Sequence, residues 1–456
     1  MSRCCLHEHL QLECSAFAAE AGFVRADASE RVAATTISGK LPPKSKRQRI
    51  EKDAKDLAHS YPGPLVLPWD DLNLDPDDEP QSFKEWLNMQ SRNKPTQERH
   101  TIYVVEVPEV TDEVSFMSGW TKPILASDEV TNGKDGPPIE KPEFGKDLEP
   151  PVAEPIMDYI EAFYHGITVK RFDQPLRYIS AEKKRERNPR RLPKCIKLAY
   201  GKRSMEISVR ASRDGVFRAQ LNLNDMLDAA IDILPDDAYA IILLVDHDIY
   251  EDEDDDYCCG RAYGGSRICV VQSARYNPLI DNREKIQHDH LWPMSHCKQY
   301  VDELCAEEDV LPIPAKADSR IEWGAIRKAV QAAEKISRPS SAEELQALWF
   351  SRVARTAVHE LGHCFGMAHC VYYACNMQGT ASMKEDGRQP PYFCPVCLTK
   401  VSFAVAVELQ AGGEHQRLAY IKARNEKLTR FSDYWRDTAL FAGFNAWLKD
   451  MLEHEV

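Results

Sequence analysis

The chain has 456 residues, room for one large domain or two, and 43% of them are hydrophobic, enough for a sizeable core. Its 72 acidic residues against 58 basic ones leave a formal charge of −14, which argues against a nucleic-acid partner and names no substrate. No apolar run reaches the roughly eighteen residues of a membrane-spanning helix, so no membrane partner is expected.

The opening Met1-Ser-Arg-Cys-Cys-Leu-His-Glu-His lacks the apolar stretch of a signal peptide. Fourteen cysteines without an export signal read as thiols and metal ligands rather than disulfides, and the expected compartment is the cytoplasm. Residues 1–95 are expected to be a poorly packed extension. They hold a basic patch, Lys44-Ser-Lys46-Arg47-Gln-Arg49, which reads as a solvated arm or, alternatively, a nuclear import signal. A Pro- and Asp-rich stretch follows, with one short helix near Phe83.

A domain is expected over 96–456. Thr101-Ile-Tyr-Val-Val-Glu-Val107 has the composition of a first strand. Residues 108–150, rich in Pro, Gly, Asp and Lys, read as a disordered insertion. A helix is expected at 156–165, strands at 167–170 and 205–211, and an amphipathic helix at 223–234. Buried strands follow at 239–245 and 268–273. Between them, Glu251 to Asp256 reads as a solvated acidic loop, without the glycine and spacing of an EF-hand. Residues 277–340 read as a second insertion, with helices near 296–307 and 322–336 and three histidines, His288, His290 and His296, expected at the surface. After Ser340-Ser341, an N-cap signal with Glu343 and Glu344 behind it, a long helix is expected to run to about Phe365. Two more helices, separated near Arg430, close the chain.

The long helix carries His359-Glu-Leu-Gly-His363. Residues i and i+4 lie on one helix face, so these two imidazoles can share one Zn²⁺. His369 lies six residues farther on, about 9 Å along a straight helix at 1.5 Å per residue, so the helix must stop before it can join them. Gly366 stands where that stop is needed. Three histidines leave a fourth position open, the mark of a catalytic zinc. Glu360 is the expected general base, taking a proton from the attacking water and passing it to the leaving amine. Cys370-x4-Cys375 and Cys394-x2-Cys397 are two close pairs around a loop, the pattern of a closed Cys4 structural zinc. Cys364 has no partner spacing and reads as a small buried residue. Two Zn²⁺ per chain are thus expected, one catalytic and one structural.

The string from His359 to Cys397 resembles the archaemetzincins (archaelysins), a metzincin family of zinc metallopeptidases. Gly366-Met-Ala-His369-Cys370, Cys375-Asn376-Met377 and Cys394-Pro-Val-Cys397 match its signature, with a loop before the last pair one residue shorter than usual. More faintly, Ala240 to Tyr250 resembles the family's buried strand, Gly260-Arg-Ala262 its edge strand and Ile268 to Arg275 the strand after it. Cys259 stands where the family usually has an aromatic. On residues alone, Met377 or Met383 is an equal candidate for a methionine under the site, and either could be ordinary core. The resemblance implies that Met377 is the Met-turn residue. It also implies an α/β (α+β) metzincin-like zincin with a twisted mixed sheet, a central zinc-binding helix, a Cys4 zinc knot and C-terminal helices. The implied activity is zinc-dependent hydrolysis of peptide or protein substrates. The alternative is a catalytically lapsed, zinc-stabilised protein-interaction module. The oligomeric state is not legible.

Overall fold

The computed structural model describes residues 7–125, 148–181, 191–263, 265–312 and 323–454. At its centre lies the strand Ala238–Val245, Ala-Tyr-Ala-Ile-Ile-Leu-Leu-Val, buried along its whole length. An all-apolar run of this kind can serve only a strand covered on both faces. Thr101–Val105 pairs with it in parallel on one side and Ile268–Gln272 on the other. Thr168–Arg171 extends the sheet in parallel beyond Thr101–Val105. Gly260–Ala262 closes the opposite edge, antiparallel to Ile268–Gln272.

The period of two along the central strand divides the interior. Ala240, Ile242 and Leu244 join a core with Val358 and Leu361 of the long helix and Ile160 and Phe163 of the helix Ala153–Phe163. Ile241, Leu243 and Val245 point the other way, to Leu223 and Leu227 of the helix Leu223–Asp232. Each such Ile or Leu contributes roughly 1.5–3 kcal/mol by its burial. A second sheet adjoins the latter core, its six short strands ordered Glu109–Val110, Arg177–Ile179, Cys195–Tyr200, Arg203–Arg210, Gln220–Asn222 and Ile249–Tyr250. The expected mixed α/β architecture is therefore present. The strands and helices of 101–107, 156–165, 167–170, 223–234, 239–245 and 268–273 form within a few residues of their expected bounds.

The long helix spans Ala342–Cys364. Ser341 and Glu344 form a capping box: the Glu344 N–H donates to Ser341 Oγ at 3.2 Å and the Ser341 N–H to Glu344 Oε2 at 3.0 Å. At its other end Gly366 takes φ +77°. The Gly366 N–H donates to His363 O at 2.8 Å and the Met367 N–H to Gly362 O at 3.3 Å. These two bonds are a Schellman stop, and the left-handed residue it needs is the glycine.

Three expectations are corrected. Residues 7–95 are packed, not loose. Trp86 is fully buried, and its indole N–H donates to Phe365 O at 2.8 Å. Gln81 donates to Gly366 O at 3.0 Å and accepts from the Ala368 N–H at 3.1 Å. Lys400 Nζ donates to Gln81 O at 2.7 Å, and Arg92 pairs with Glu408. The apolar residues here are too sparse to show a period, but Trp86 and Gln81 reach polar groups at and just beyond the end of the long helix. The patch at 44–49 lies on an exposed helix, Lys44–Ala58. In the first insertion, 112–119 forms a 3-10 turn that buries Val114, Met117 and the adjoining Trp120, while 126–147 lie outside the described residues. In the second insertion the helices Lys298–Glu307 and Ala325–Ala333 form as expected, but His296 is buried rather than at the surface, and His288 pairs with Asp281 at 2.8 Å. The last two helices, Glu414–Tyr434 and Ala439–His454, separate a few residues after Arg430. Among the described residues no single helix is long and apolar enough to cross a membrane.

Candidate metal centre

Among the described residues two groups of side chains have the proximity of metal ligands: His359, His363 and His369, and Cys370, Cys375, Cys394 and Cys397. Within each group the candidate ligand atoms lie within 4.8 Å of one another.

The backbone sets the histidines. His359 Nδ1 lies 2.6 Å from Asn376 O, and His363 Nδ1 lies 2.7 Å from Met367 O. A carbonyl only accepts, so each Nδ1 carries the proton and donates it. The lone pairs are then on the two Nε2 atoms, which face each other at 3.1 Å. Two acceptors at that distance repel unless a cation lies between them. Burial and the neighbouring imidazoles push His359 well down and His363 to about 3, so both rings are neutral and ready to bind a cation near neutral pH. These residues fit a zinc.

The four thiols fit one also. All are buried, and Cys370 Sγ and Cys394 Sγ are 3.5 Å apart, too far for a disulfide. Four sulfurs on a tetrahedral zinc stand about 3.8 Å apart, given bonds of about 2.3 Å. The Cys394 and Met377 N–H groups point at Cys375 Sγ at 3.3 and 3.5 Å. Burial pushes the Cys375 and Cys394 thiols up, whereas hydrogen bonds with the other three sulfurs hold Cys370 well down; a cation among them would draw the two raised thiols down as well.

The two groups share a short backbone. Cys375 belongs to the cysteines, and the next residue, Asn376, holds His359. Met377 follows, and its carbonyl accepts from the Cys370 N–H at 2.7 Å. Met377 Sδ lies only 2.3 Å from where a Cβ on Gly362 would be, so this methionine packs directly against the long helix. Met383, the other candidate, lines the cleft instead, with Cys259 Sγ 3.5 Å from its sulfur. Cys364 is fully buried.

Glu360, His359 and His369 line a cleft of about 660 Å³ together with Gly260, Tyr276, Met383 and Asp386. Gly260 brings the edge strand close: a Cβ there would lie 3.1 Å from Glu360 Oε1. Burial pushes Glu360 up to about 8, opposed by Arg261 and by the Ala262 N–H. A cation on the neighbouring imidazoles would draw it back down.

Several residues with no periodic or motif signal also reach the site. The backbone carbonyls of Asn376 and Met367 are invisible to side-chain reasoning. Asp71 and Gly379 meet beside His369: a Cβ on Gly379 would lie 2.1 Å from Asp71 Oδ2 and 2.9 Å from His369 Nδ1. Glu385, buried, accepts through Oε2 from the N–H groups of Asp71 at 2.9 Å and Ala381 at 2.8 Å.

Residues 334–402 match the model of Peptidase family M54. Over 66 residues the chain is 39% identical to Archaemetzincin-2 of Homo sapiens, covering 14% of this chain and 18% of that protein. Over 68 residues it is 37% identical to the archaemetzincin of Thermococcus kodakarensis, covering 15% of this chain and 34% of that protein. The matched segment thus spans about a third or less of these relatives' lengths. The crystal structure of the archaemetzincin from Methanopyrus kandleri aligns over 68% of this chain and 97% of its own, with 14% identity and a TM-score of 0.31. Through the segment that carries both donor groups, this chain is similar to the archaemetzincins of Peptidase family M54.

Proposed function

We propose that the chain is a zinc-dependent metallopeptidase with two zincs, one held by His359, His363 and His369 and one by Cys370, Cys375, Cys394 and Cys397. The observation that carries this reading is the pair of facing Nε2 atoms, 3.1 Å apart and both unprotonated, in a cleft that also holds Glu360. Zinc on three imidazoles supplies a Lewis acid for the scissile carbonyl and makes water more acidic. Glu360 receives the proton of the attacking water and delivers it to the departing amine. Gly260–Ala262 is the terminal strand of its sheet, and an extended substrate can add to its free edge beside Glu360. Met377 supports the helix that carries two of the imidazoles. The family match supports the zinc and the peptide substrate class.

The test is a peptide-library digestion with metal counted on the same samples. The wild type is expected to bind two zincs per chain and to cleave. Glu360→Ala is expected to keep both zincs and its fold while losing about 10²–10⁴-fold in rate. A wild type that holds both zincs and cleaves nothing in a broad library would instead support a lapsed, interaction-only module.

A further inference from the structure

The cleft that holds Glu360 continues past the histidines along the long helix. Thr356 lies one turn before His359 and Glu360 on the same helix face, and it lines the cleft with them. Across from it stands Cys259, the residue before Gly260 of the edge strand. Its Sγ is 3.5 Å from Met383 Sδ, so two soft, weakly polar sulfurs form a wall. Tyr276 and Asp386, 1% and 7% exposed, form the base of this part of the cleft. Met383 and Asp386 are three residues apart on the helix Met383–Arg388 and so share a face.

The hydrogen bonds at this base leave one acceptor over. Arg355, which is not among the residues lining the cleft, takes Asp386 Oδ1 and also donates to Gln389 O at 2.8 Å. Asp386 Oδ2 is left with the Tyr276 hydroxyl at 3.5 Å, the far limit of a hydrogen bond. That hydroxyl has a closer partner in Thr356 Oγ1 at 2.7 Å, and Thr356 Oγ1 stands 3.2 Å from Arg352 O. The row therefore has three contacts and only two hydroxyl protons to fill them. The longest contact, to Asp386, is the one that goes without. A buried carboxylate oxygen in that position calls for a donor from the cleft.

We infer that this part of the cleft is a specificity pocket in which Asp386 selects a substrate side chain with an apolar stem and a neutral, hydrogen-donating tip, glutamine foremost. This rests on the metallopeptidase reading. A substrate pairing antiparallel with the edge strand runs from Ala262 toward Cys259, so the pocket receives the residue that follows the scissile bond. The stem lies along the two sulfurs and the amide reaches Asp386 Oδ2. Methionine, of the same length, leaves that oxygen unpaired, and glutamate sets a second carboxylate against it. Lysine brings a cation to a carboxylate that Arg355 already balances, and leaves a buried charge uncompensated.

The experiment takes a peptide that the full, zinc-loaded chain cuts at a single bond and varies only the residue after that bond: Gln, Met, Glu, Lys or Ala. Ratios of kcat/KM between peptides are read on one sample, so the fraction of folded enzyme cancels. The wild type is expected to favour Gln over Met by roughly 10- to 100-fold, with Glu and Lys also behind Gln. Asp386→Asn can turn its carbonyl to Arg355 and its amide N–H to the cleft, and is expected to raise the Glu-to-Gln ratio at least about 10-fold. Cys259→Phe, which fills the pocket from its wall and leaves Asp386 in place, is expected to move the preference to Ala; it carries the test if Asp386→Asn does not fold. A wild type that cuts the Met or Lys peptide as fast as the Gln peptide overturns the assignment, and so does a Gln preference that survives the substitutions. Either result leaves the metallopeptidase reading standing. A wild type that holds both zincs and cuts no peptide overturns that reading and this assignment together.

Discussion

Gly362 and Gly366 stand four residues apart at the end of the long helix and do different work. Gly366 is needed for its backbone, which is left-handed at φ +77°. Gly362 is needed for its lack of a side chain: it is within the helix, and a Cβ there would meet Met377 Sδ at 2.3 Å and Met367 Cε at 3.0 Å. Gly362→Ala therefore sets two effects against each other. Alanine gains about 1 kcal/mol in helix propensity. Overpacking a buried contact costs about 1–3 kcal/mol, and fully buried Met377 has little space to retreat into. The second effect is expected to win, with a net loss of up to about 2 kcal/mol in urea unfolding. Because Met377 is next to Asn376, which fixes His359, the histidine-site zinc should weaken too. A variant as stable as the wild type and equally tight for zinc would show that the methionine is a loose filler.

At the scale of elements, the segment from Gly366 to Cys397 behaves as one piece. The helix stop sends the chain back through Met367, whose carbonyl holds His363, to His369 and at once to Cys370. Cys370 is tied to Met377 by its N–H, and Met377 follows the residue that holds His359. A change at the cysteines should thus travel to the histidines through hydrogen-bonded backbone. Cys370→Ser is expected to lower the affinity of both zincs, read by chelator competition at each site. Unchanged affinity and cleavage at the histidine site would mean that the two sites are only neighbours in sequence. This part of the molecule was readable from residues because its histidine and cysteine spacings are those of metal-ligand motifs, the helix start is marked by the Ser341–Glu344 box and the helix end by Gly366. The contribution of residues 7–95 was not. Trp86 and Gln81 dock by side-chain hydrogen bonds on backbone groups at the end of the long helix, and such isolated polar contacts leave no period in a sequence.

For the molecule as a whole, that N-terminal segment is the largest departure from expectation, and it docks on the backbone of a buried histidine. The Gln11 N–H donates to His296 O at 2.7 Å, the Lys298 N–H to His9 O at 2.9 Å, and Leu10 bridges to Cys297. Beneath this junction the His296 ring is 1% exposed. Burial pushes it down to about 4, with Arg388 acting in the same direction and a backbone contact to Gly63 opposing. The folded protein therefore keeps the ring neutral, while the unfolded chain takes up a proton near 6.5. As pH falls from about 6.5, the unfolded state binds the proton first, and the stability held at neutral pH is lost progressively until about 4, where both states are charged. The full loss is on the order of 3 kcal/mol at about 1.4 kcal/mol per pH unit. Buried acids whose pKa is pushed up, such as Asp246 at about 6, act in the opposite sense and hide this contribution in the wild type alone. His296→Gln isolates it. The unfolding free energy of the wild type minus that of this variant is expected to fall steadily between pH 6.5 and 4. Hydrogen exchange should locate the loosening in residues 7–15 and 60–75 before the central sheet. A difference that stays constant over that range would show that His296 is solvated, or charged, in the folded protein, and that the N-terminal segment is held by its apolar contacts and its carboxylates alone.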